Sequence, residues 1–336
     1  MPDDRRIPGL VLRVLLLLVG SAPAWANDTL VTLGAGGLVP VNSSDIEMRS
    51  ETLAISPHRI AVTYLFHNAG DHDVDATVAF PLPALNGGGV YNEPMSLPSG
   101  EDDNFLGFKV MQDGASPPVK MEARAFLDDR DITARLRATG VPASVLLGPL
   151  NLALSKLTKA QRARLETDQL IVSGDFNPGL RGVGEHGWWA AWSMRVQFYW
   201  TQHFPAGKTI ELVQTYSPVV GGSYIPGGGS DAATAAAYCA DPAALGQIKA
   251  LVAKAAKPDA QVAVDERRIQ YILTTANNWA GPIGRFHLTV DTDSPDDIFL
   301  TCMPGVKRLS PTRYELERSN FRPDRELDLM ILQRRQ

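Results

Sequence analysis

Two segments of the chain alternate strictly between apolar and polar side chains, and this alternation constrains the fold more than any other feature. Their apolar members are Ile60, Val62, Tyr64 and Phe66 in the first segment and Trp192, Met194, Val196, Phe198 and Trp200 in the second. Successive side chains of a β-strand point to opposite faces of the sheet. The pattern therefore predicts strands with one buried face each, in a mainly β protein.

Each of these strands is followed by a turn and a second strand, which predicts two β-hairpins. The first hairpin spans residues 59–80, turns at residues 68–73, and stops at Pro81 because proline cannot donate to a ladder. The second spans residues 192–216 and turns at residues 205–208. Two ribbons with one apolar face each can bury those faces together, so the predicted architecture is an antiparallel β-sandwich.

Residues 127–190, between the two ribbons, have a more helical pattern, and we interpret them as a helical insert. Asp131 is a candidate cap for a helix that runs to Ala138. Thr158 and Gln161 have the spacing of a capping box that opens a second helix.

Beyond the glycine-rich residues 227–229 the chain changes character. Asp241 as a cap and Pro242 in the first turn predict a third helix, and short strands follow it. We therefore predict two units, a β-sandwich domain over residues 27–229 and a smaller α+β unit over residues 230–336.

The first 26 residues have the parts of a cleavable signal peptide. A basic start precedes an apolar run at residues 14–19, and Ala24–Ala26 fits the A-x-A cleavage rule. The run is shorter than the roughly 20 residues that span a bilayer. We expect a periplasmic or secreted protein that starts at Asn27 and has no transmembrane segment after cleavage. The Sec and twin-arginine routes both stay open.

The chain contains two cysteines, Cys239 and Cys302. An isolated pair in an oxidising compartment is typically bridged, so we predict a disulfide. Cys239 precedes the third predicted helix and Cys302 follows a predicted strand, so this bond would join helix to sheet. Two separate buried thiols are the alternative.

Composition and charge narrow the range of partners. The formal net charge is −5, and the chain has no run of five basic residues. Nucleic acids and anionic membranes are therefore disfavoured. Gly182–Gly187 fits the pattern G-x-G-x-x-G but lacks the strand before it and the helix after it that a dinucleotide site needs. We predict no bound cofactor.

Two groups of residues are candidates for binding. Asp291, Asp293, Asp296 and Asp297 gather carboxylates on one turn, as in some Ca²⁺ sites, but the EF-hand pattern is absent and a solvated turn is favoured over a metal site. Trp188 and Trp189 are candidates for an aromatic platform beside a glycine-rich loop, and burial in the core is their alternative. No G-x-S-x-G elbow or H-E-x-x-H motif occurs in the chain, so no catalytic residues are assigned.

Several short stretches also match a bacterial family. They are Asn27–Thr29, Gly34–Leu38, Ser44–Met48, Phe80–Pro83, Asn278–Trp279, Pro311–Thr312 and Asn320–Phe321. With these stretches the chain resembles the exported domain-of-unknown-function family 4424, which implies export and a two-part layout but no catalytic residues. The first half is also similar to the vault/inter-alpha-trypsin domain, through Phe80–Pro83 followed by Phe108 and Val110. That similarity implies a β-sandwich used for interaction.

The sequence thus predicts a non-catalytic exported protein that presents loops or an edge strand to a protein or another envelope component. One alternative is a hydrolase-like exported enzyme with its site between the two predicted units. Another is a carbohydrate-binding module that uses Trp188 and Trp189. A deep pocket with acidic or histidine side chains from both units would favour the enzyme. The oligomeric state stays open.

Overall fold

A computed structural model shows a mainly β chain with several sheets. The residues it describes are 28–34, 37–86, 95–96, 98, 104–141, 143, 156–175, 186–221, 236–255 and 264–334. The predicted signal peptide lies outside these residues. In the described part of the chain, no helix combines the length and the apolar character needed to cross a membrane.

The first large sheet is built from strands that precede residue 205. Its members are β1 (Thr29–Gly34), β2 (Gly37–Val41), β5 (Val74–Pro81), β6 (Leu85–Asn86), β9 (Lys120–Leu127), β10 (Arg130–Asp131) and β13 (Ser193–Phe204). The order across the sheet is β10-β9-β13-β5-β1-β2, with β6 also beside β13. All of these pairs are antiparallel.

The second large sheet combines strands from the beginning and the end of the chain. Its members are β3 (Ile46–Ile55), β4 (Ile60–Asn68), β8 (Lys109–Gln112), β14 (Thr209–Tyr216), β17 (Ile283–Asp291), β19 (Lys307–Ser310) and β20 (Arg313–Phe321). The order is β19-β20-β17-β3-β4-β14-β8, and β17 runs parallel to β3. Residues on both sides of the predicted boundary at 229/230 share this sheet, and the division into two folding units stays a prediction.

A third sheet of five strands and three helices also occur among the described residues. The sheet has the order β18-β21-β16-β15-β7. These elements are β7 (Met95–Ser96), β15 (Val220–Gly221), β16 (Val264–Tyr271), β18 (Ile298–Thr301), β21 (Leu327–Arg334), α1 (Thr133–Ala138), α2 (Lys159–Thr167) and α3 (Pro242–Ala255). A short 3-10 helix covers Thr274–Asn278.

The helix α3 packs on the third sheet, and a disulfide fixes it there. Ile248 and Leu251 of α3 lie in one apolar cluster with Ile298 of β18 and Leu332 of β21. Cys239, before α3, is bonded to Cys302, directly after β18. The predicted disulfide and its connection of helix to sheet are therefore confirmed.

The predicted inward faces of the two alternating segments are confirmed. Nine side chains are at most 2% exposed, namely Ile60, Val62, Tyr64, Phe66, Trp192, Met194, Val196, Phe198 and Trp200. The intervening residues of both strands are half-buried or exposed. Alternation alone thus identified the core positions in β4 and β13.

Both predicted hairpins are wrong. The strand β4 pairs with β3 and β14 rather than with β5, and β13 pairs with β5 and β9 rather than with β14. Each segment passes from one large sheet to the other, and we call residues 60–81 the first arch and residues 193–216 the second arch. Alternation specifies which side chains turn inward, but it does not specify which strand is the neighbour.

Asn68 joins the two arches at their turns. Its backbone N–H donates to the carbonyl of Lys208 at 3.0 Å. Its side-chain amide donates to the carbonyls of His72 and Phe204, both at 2.9 Å. Asn68 is fully buried, so these bonds satisfy a polar group that would otherwise destabilise the interior.

The segment predicted as a helical insert contains α1, α2 and a small antiparallel sheet among its described residues. The sheet consists of β11 (Ile171–Asp175) and β12 (His186–Ala190). The capping box is confirmed, because Thr158 accepts from the Gln161 backbone N–H and the Gln161 side chain accepts from the Thr158 N–H. Asp131 instead accepts from the Thr133 N–H, one residue before the cap of α1.

Candidate functional site

A group of polar side chains is enclosed where the three larger sheets meet, and we call it the acid–tyrosine cluster. Its members are Asp28 before β1, Glu51 on β3, Tyr64 on β4, Gln214 on β14 and Tyr271 at the end of β16. Each is at most 1% exposed. Buried carboxyls are rare unless they are paired or hydrogen-bonded, so this cluster requires a physical explanation.

A β-bulge turns Glu51 into the interior. The register between β3 and β4 shifts between Met48 and Ser50, so Met48 and Glu51 both face inward although they are three positions apart. On the neighbouring strand, a Cβ at Gly284 would lie 2.5 Å from the carbonyl oxygen of Arg49. Glycine at 284 therefore lets β17 approach the bulge closely. The bulge in turn directs the Glu51 carboxyl inward, as β-bulges near functional sites often redirect a side chain.

Hydrogen bonds connect the two tyrosines to Glu51. The Tyr271 hydroxyl donates to Oε1 of Glu51 at 3.2 Å, and the two tyrosine hydroxyl oxygens are 2.9 Å apart. A phenol has one proton, so Tyr271 accepts from Tyr64 while it donates to Glu51. The three side chains thus form an ordered donor chain that ends on a carboxyl.

The backbone and side chain of Asp28 are both anchored. Gln214 Nε2 donates to Asp28 Oδ2 at 2.6 Å, and Trp279 Nε1 donates to the Asp28 carbonyl at 2.6 Å. Beside it, Asn278 Nδ2 donates to the Thr29 hydroxyl at 3.0 Å. The first described residues of the chain are therefore part of the core.

Burial shifts the proton equilibria of this cluster. Burial raises the pKa of Asp28 well above its ordinary value, the bond from Gln214 lowers it, and the nearby Glu51 carboxyl raises it further. Burial, followed by Asp28 and Glu51, raises the pKa of Tyr64, and burial raises that of Tyr271 as well. Asp28 therefore retains its proton in the folded state over a wider pH range than in the unfolded chain.

Replacing Asp28 with asparagine is expected to flatten the dependence of stability on pH. A carboxyl whose pKa is raised by folding contributes most below its unfolded pKa of about 3.9, and this contribution is lost as the pH rises toward the folded pKa. One linked proton changes the free energy of unfolding by at most about 1.4 kcal/mol per pH unit. Asparagine does not ionise but keeps an oxygen that can accept from Gln214. Urea unfolding at several pH values from about pH 4 to pH 8 measures how the free energy of unfolding of the wild type and of the variant changes with pH.

Asp113→Asn provides the matched control for this measurement. Asp113 is exposed in a turn with φ of 49°, a conformation that asparagine tolerates. Its pH profile should run parallel to that of the wild type. Parallel profiles for the wild type and the Asp28 variant would instead show that this carboxyl is not linked to folding.

A pocket of about 270 Å³ lies next to the acid–tyrosine cluster, and Tyr216 belongs to its lining. Its apolar walls include Ile60, Leu82, Leu85, Leu106, Val219 and Ile269. These residues come from both large sheets and from β16, so the pocket draws on both predicted units. Its size and mainly apolar lining are typical of a site for a small molecule.

The polar groups of the pocket lining are concentrated on β16 and β21. Arg268 pairs with Glu266 at 2.7 Å, and Gln270 Nε2 donates to Asp328 at 2.8 Å. Among the described lining residues there is no serine, cysteine or histidine. The lining can therefore contact a ligand through an arginine, an amide, a carboxyl and tyrosine side chains.

The tryptophan pair predicted as a platform lies on β12. The ring of Trp188 is half-buried, its Nε1 donates to Glu166 at 3.0 Å, and the Arg162 guanidinium lies 5.3 Å from its centroid. Both partners come from α2, so Trp188 is engaged within the chain. The side chain of Trp189 lies outside the described structure.

Two of the four aspartates predicted as cation ligands share a donor: Gln333 Nε2 donates to Asp293 Oδ2 at 3.2 Å and to Asp297 Oδ2 at 2.9 Å. Asp297 is buried and accepts from the backbone N–H groups of Asp293 and Ser294. Asp291 accepts from Arg313 at 2.8 and 3.0 Å. No metal-binding group of three or more acidic, histidine or cysteine side chains occurs among the residues that the structure describes. Asp296 is exposed on the same turn.

The model of the family described as domain of unknown function DUF4424 matches residues 26–332. The chain belongs to the DUF4424 family. No curated protein matches the chain.

Two solved structures are similar to this DUF4424 chain. One is a candidate nutrient-binding protein of Legionella pneumophila, with a TM-score of 0.38, 15% identity and coverage of 90% of this chain and 72% of that one. The other is a two-domain M1 zinc metallopeptidase variant bound to L-tryptophan, with a TM-score of 0.24, 8% identity and coverage of 87% and 44%. At these TM-scores neither similarity carries an argument about function.

Stretches that resemble the DUF4424 family meet around Asp28. Trp279 and Asn278 bind the backbone of Asp28 and the side chain of Thr29, and the Ala280 N–H donates to the Ile46 carbonyl at 2.9 Å. The family resemblance therefore includes the residues that close the acid–tyrosine cluster.

Sequence reasoning missed this cluster, although two signals were present. The apolar phase of β3 changes from even positions, Ile46 and Met48, to odd positions, Leu53 and Ile55, which is the signature of a bulge. Gln214 interrupts the apolar face of β14. A polar residue at an inward position and a phase change together could have identified the buried polar site.

Proposed function

We propose that this DUF4424 chain is an exported, non-catalytic binding protein whose site is the pocket lined by Tyr216, Arg268, Gln270 and Asp328. The observation that carries this proposal is a mainly apolar pocket of about 270 Å³ whose lining includes a few polar side chains, three of them on the adjacent strands β16 and β21. Such a lining can bury an apolar body and orient it through a few hydrogen bonds.

The proposal includes a β-sandwich made by the two large sheets, with residues 127–190 as a helical cap. Aromatic contacts between the two sheets support it. The ring centroids of Phe66 on β4 and Phe204 on β13 are 5.9 Å apart, and those of Phe80 on β5 and Tyr216 on β14 are 5.2 Å apart. Such an arrangement is similar to the vault/inter-alpha-trypsin domain. In this proposal residues 230–336 form the smaller unit and close one side of the pocket.

The proposed compartment is the periplasm or the exterior of the cell. The disulfide between Cys239 and Cys302 supports an oxidising environment. The predicted signal peptide at residues 1–26 supports export. Together they favour a ligand that is available in the envelope or in the medium.

Binding accounts for the site better than the two alternatives do. The pocket lies where a hydrolase-like enzyme would have its site, but its described lining offers no nucleophile beside a base. The carbohydrate platform needs an accessible Trp188, whose face and N–H are engaged by Arg162 and Glu166.

Replacing Ala84 with tryptophan tests the proposed site. Ala84 is exposed and lines the pocket, so a large ring there is expected to fill the pocket without disturbing the core. The uncharged dye N-phenyl-1-naphthylamine, excited directly, should bind the wild type saturably. Its affinity for the Ala84 variant should be at least about tenfold lower, because loss of apolar contact of about 1.4 kcal/mol is a tenfold change.

Ala163→Trp is the matched control, since Ala163 is exposed on α2 outside the pocket lining. This variant should bind the dye as the wild type does. Equal affinities for the two variants, or a lack of saturable binding to the wild type, would overturn the proposed site.

A further inference from the structure

Tyr216 is one of the polar residues of the pocket lining. The residue is only 7% exposed, and its ring centroid lies 5.2 Å from that of Phe80 and 5.9 Å from that of Phe108. Unlike the hydroxyls of Tyr64 and Tyr271, the Tyr216 hydroxyl has no hydrogen-bond partner among the residues that the structure describes. A buried hydroxyl normally finds a partner, so this one is available to a ligand.

The surroundings of Tyr216 fix its role as a donor. Burial, followed by the carboxyls of Asp28 and Glu51, raises the pKa of the Tyr216 phenol. The group therefore keeps its proton and offers it. Burial also disfavours a negative charge on the ligand atom that accepts this proton, because a charge loses its hydration in a poorly solvated site.

The charged side chains at the pocket lining supply no excess positive charge that would attract an anionic ligand. Arg268 is already paired with Glu266, whose side chain is almost fully buried, and Asp328 adds a negative charge beside Gln270. Most of the walls are apolar, with Leu82 and Leu106 among them. The pocket therefore favours an uncharged ligand with a largely apolar body.

We propose that the pocket takes a small, uncharged, mainly apolar molecule whose carbonyl or ether oxygen accepts a hydrogen bond from the Tyr216 hydroxyl. This inference rests on the proposed binding function and names the ligand class of the same site. An apolar molecule without an acceptor leaves the hydroxyl unpaired and binds more weakly.

Three one-ring probes of similar size test this ligand class by NMR titration of the purified protein. Acetophenone carries an uncharged acceptor, ethylbenzene lacks one, and benzoate carries a negative charge. Acetophenone should bind about fivefold more tightly than ethylbenzene, the effect of one neutral hydrogen bond. Benzoate should bind more weakly than acetophenone.

Tyr216→Phe should abolish the preference for acetophenone and leave the affinity for ethylbenzene unchanged. Tyr199→Phe, which removes the hydroxyl of a half-buried tyrosine on β13 outside the pocket lining, should retain the preference. A thermal melt of each variant establishes that it is folded.

Equal binding of acetophenone and ethylbenzene to the wild type, the tightest binding by benzoate, or a preference that survives in Tyr216→Phe would overturn this inference. So would the absence of binding by all three probes. The proposed site has its own test in the Ala84 variant and the dye, so the two failures are distinguishable.

Discussion

Replacing Trp279 with alanine is expected to lower the free energy of unfolding by about 3–5 kcal/mol, the usual cost of deleting a buried tryptophan side chain. Trp279 is 3% exposed, and its ring centroid lies 4.5 Å from that of Phe66 and 6.1 Å from that of Phe204. It therefore packs between a strand of the second sheet and one of the first. Its indole N–H also holds the Asp28 carbonyl. Urea unfolding followed by circular dichroism measures the loss.

Trp279→Phe separates packing from hydrogen bonding. Phenylalanine keeps a ring between Phe66 and Phe204, but it leaves the Asp28 carbonyl without the indole donor, which costs about 1–3 kcal/mol. The alanine variant should thus be clearly less stable than the phenylalanine variant. Equal stabilities for the two would show that burial of the ring does not hold the two sheets together here.

Removing the disulfide is expected to lower the free energy of unfolding by about 4 kcal/mol. The bond joins residues 63 positions apart, and the chain-entropy model gives a cost of this size for a loop of that length. Without it, apolar contacts such as those of Ile248 and Leu251 remain between α3 and the third sheet. Unfolding of a Cys239→Ser/Cys302→Ser variant measures the effect.

Reduction of the wild type provides the matched control, because it opens the same bond without changing any residue. Dithiothreitol should lower the unfolding midpoint of the wild type to that of the double variant. The variant itself should not respond to dithiothreitol. A wild type that is insensitive to reduction would contradict a stabilising role for the bond.

Elements with local signals were predictable from the sequence. The capping box at Thr158 and Gln161 and the cap of α3 act within one helical turn, so nearby residues specify them. The strand at Ile298–Thr301 is one of the short strands that the sequence predicts after α3. The disulfide followed from having two cysteines and an expected oxidising compartment.

Strand neighbours were not predictable, since they depend on contacts far apart in the sequence. The segments 59–80 and 192–216 each have the alternation and the polar turn of a hairpin, yet β4 and β5 enter different sheets. What distinguishes an arch from a hairpin here is Asn68, which bonds across to the second turn. Neither segment contains that information alone.

The candidate site was hidden for a related reason. Asp28, Glu51 and Tyr271 come from distant parts of the chain and have no shared spacing. Their proximity follows from the bulge in β3 and from the meeting of three sheets. The residues predicted instead, Trp188 and the aspartates near 293, have local sequence patterns, but the structure engages them with other side chains of the chain, such as Glu166 and His58.

The exchange of strands between the two arches also affects the order in which the chain can assemble. His67 and Thr209, which face each other across β4 and β14, are 142 positions apart. A chain that emerges from its amino end must therefore wait for the second arch before either large sheet can close. Such high contact order slows folding and leaves strand edges open to aggregation. A holding chaperone that covers these strand edges would act on the first arch before the second arch is available to pair with it.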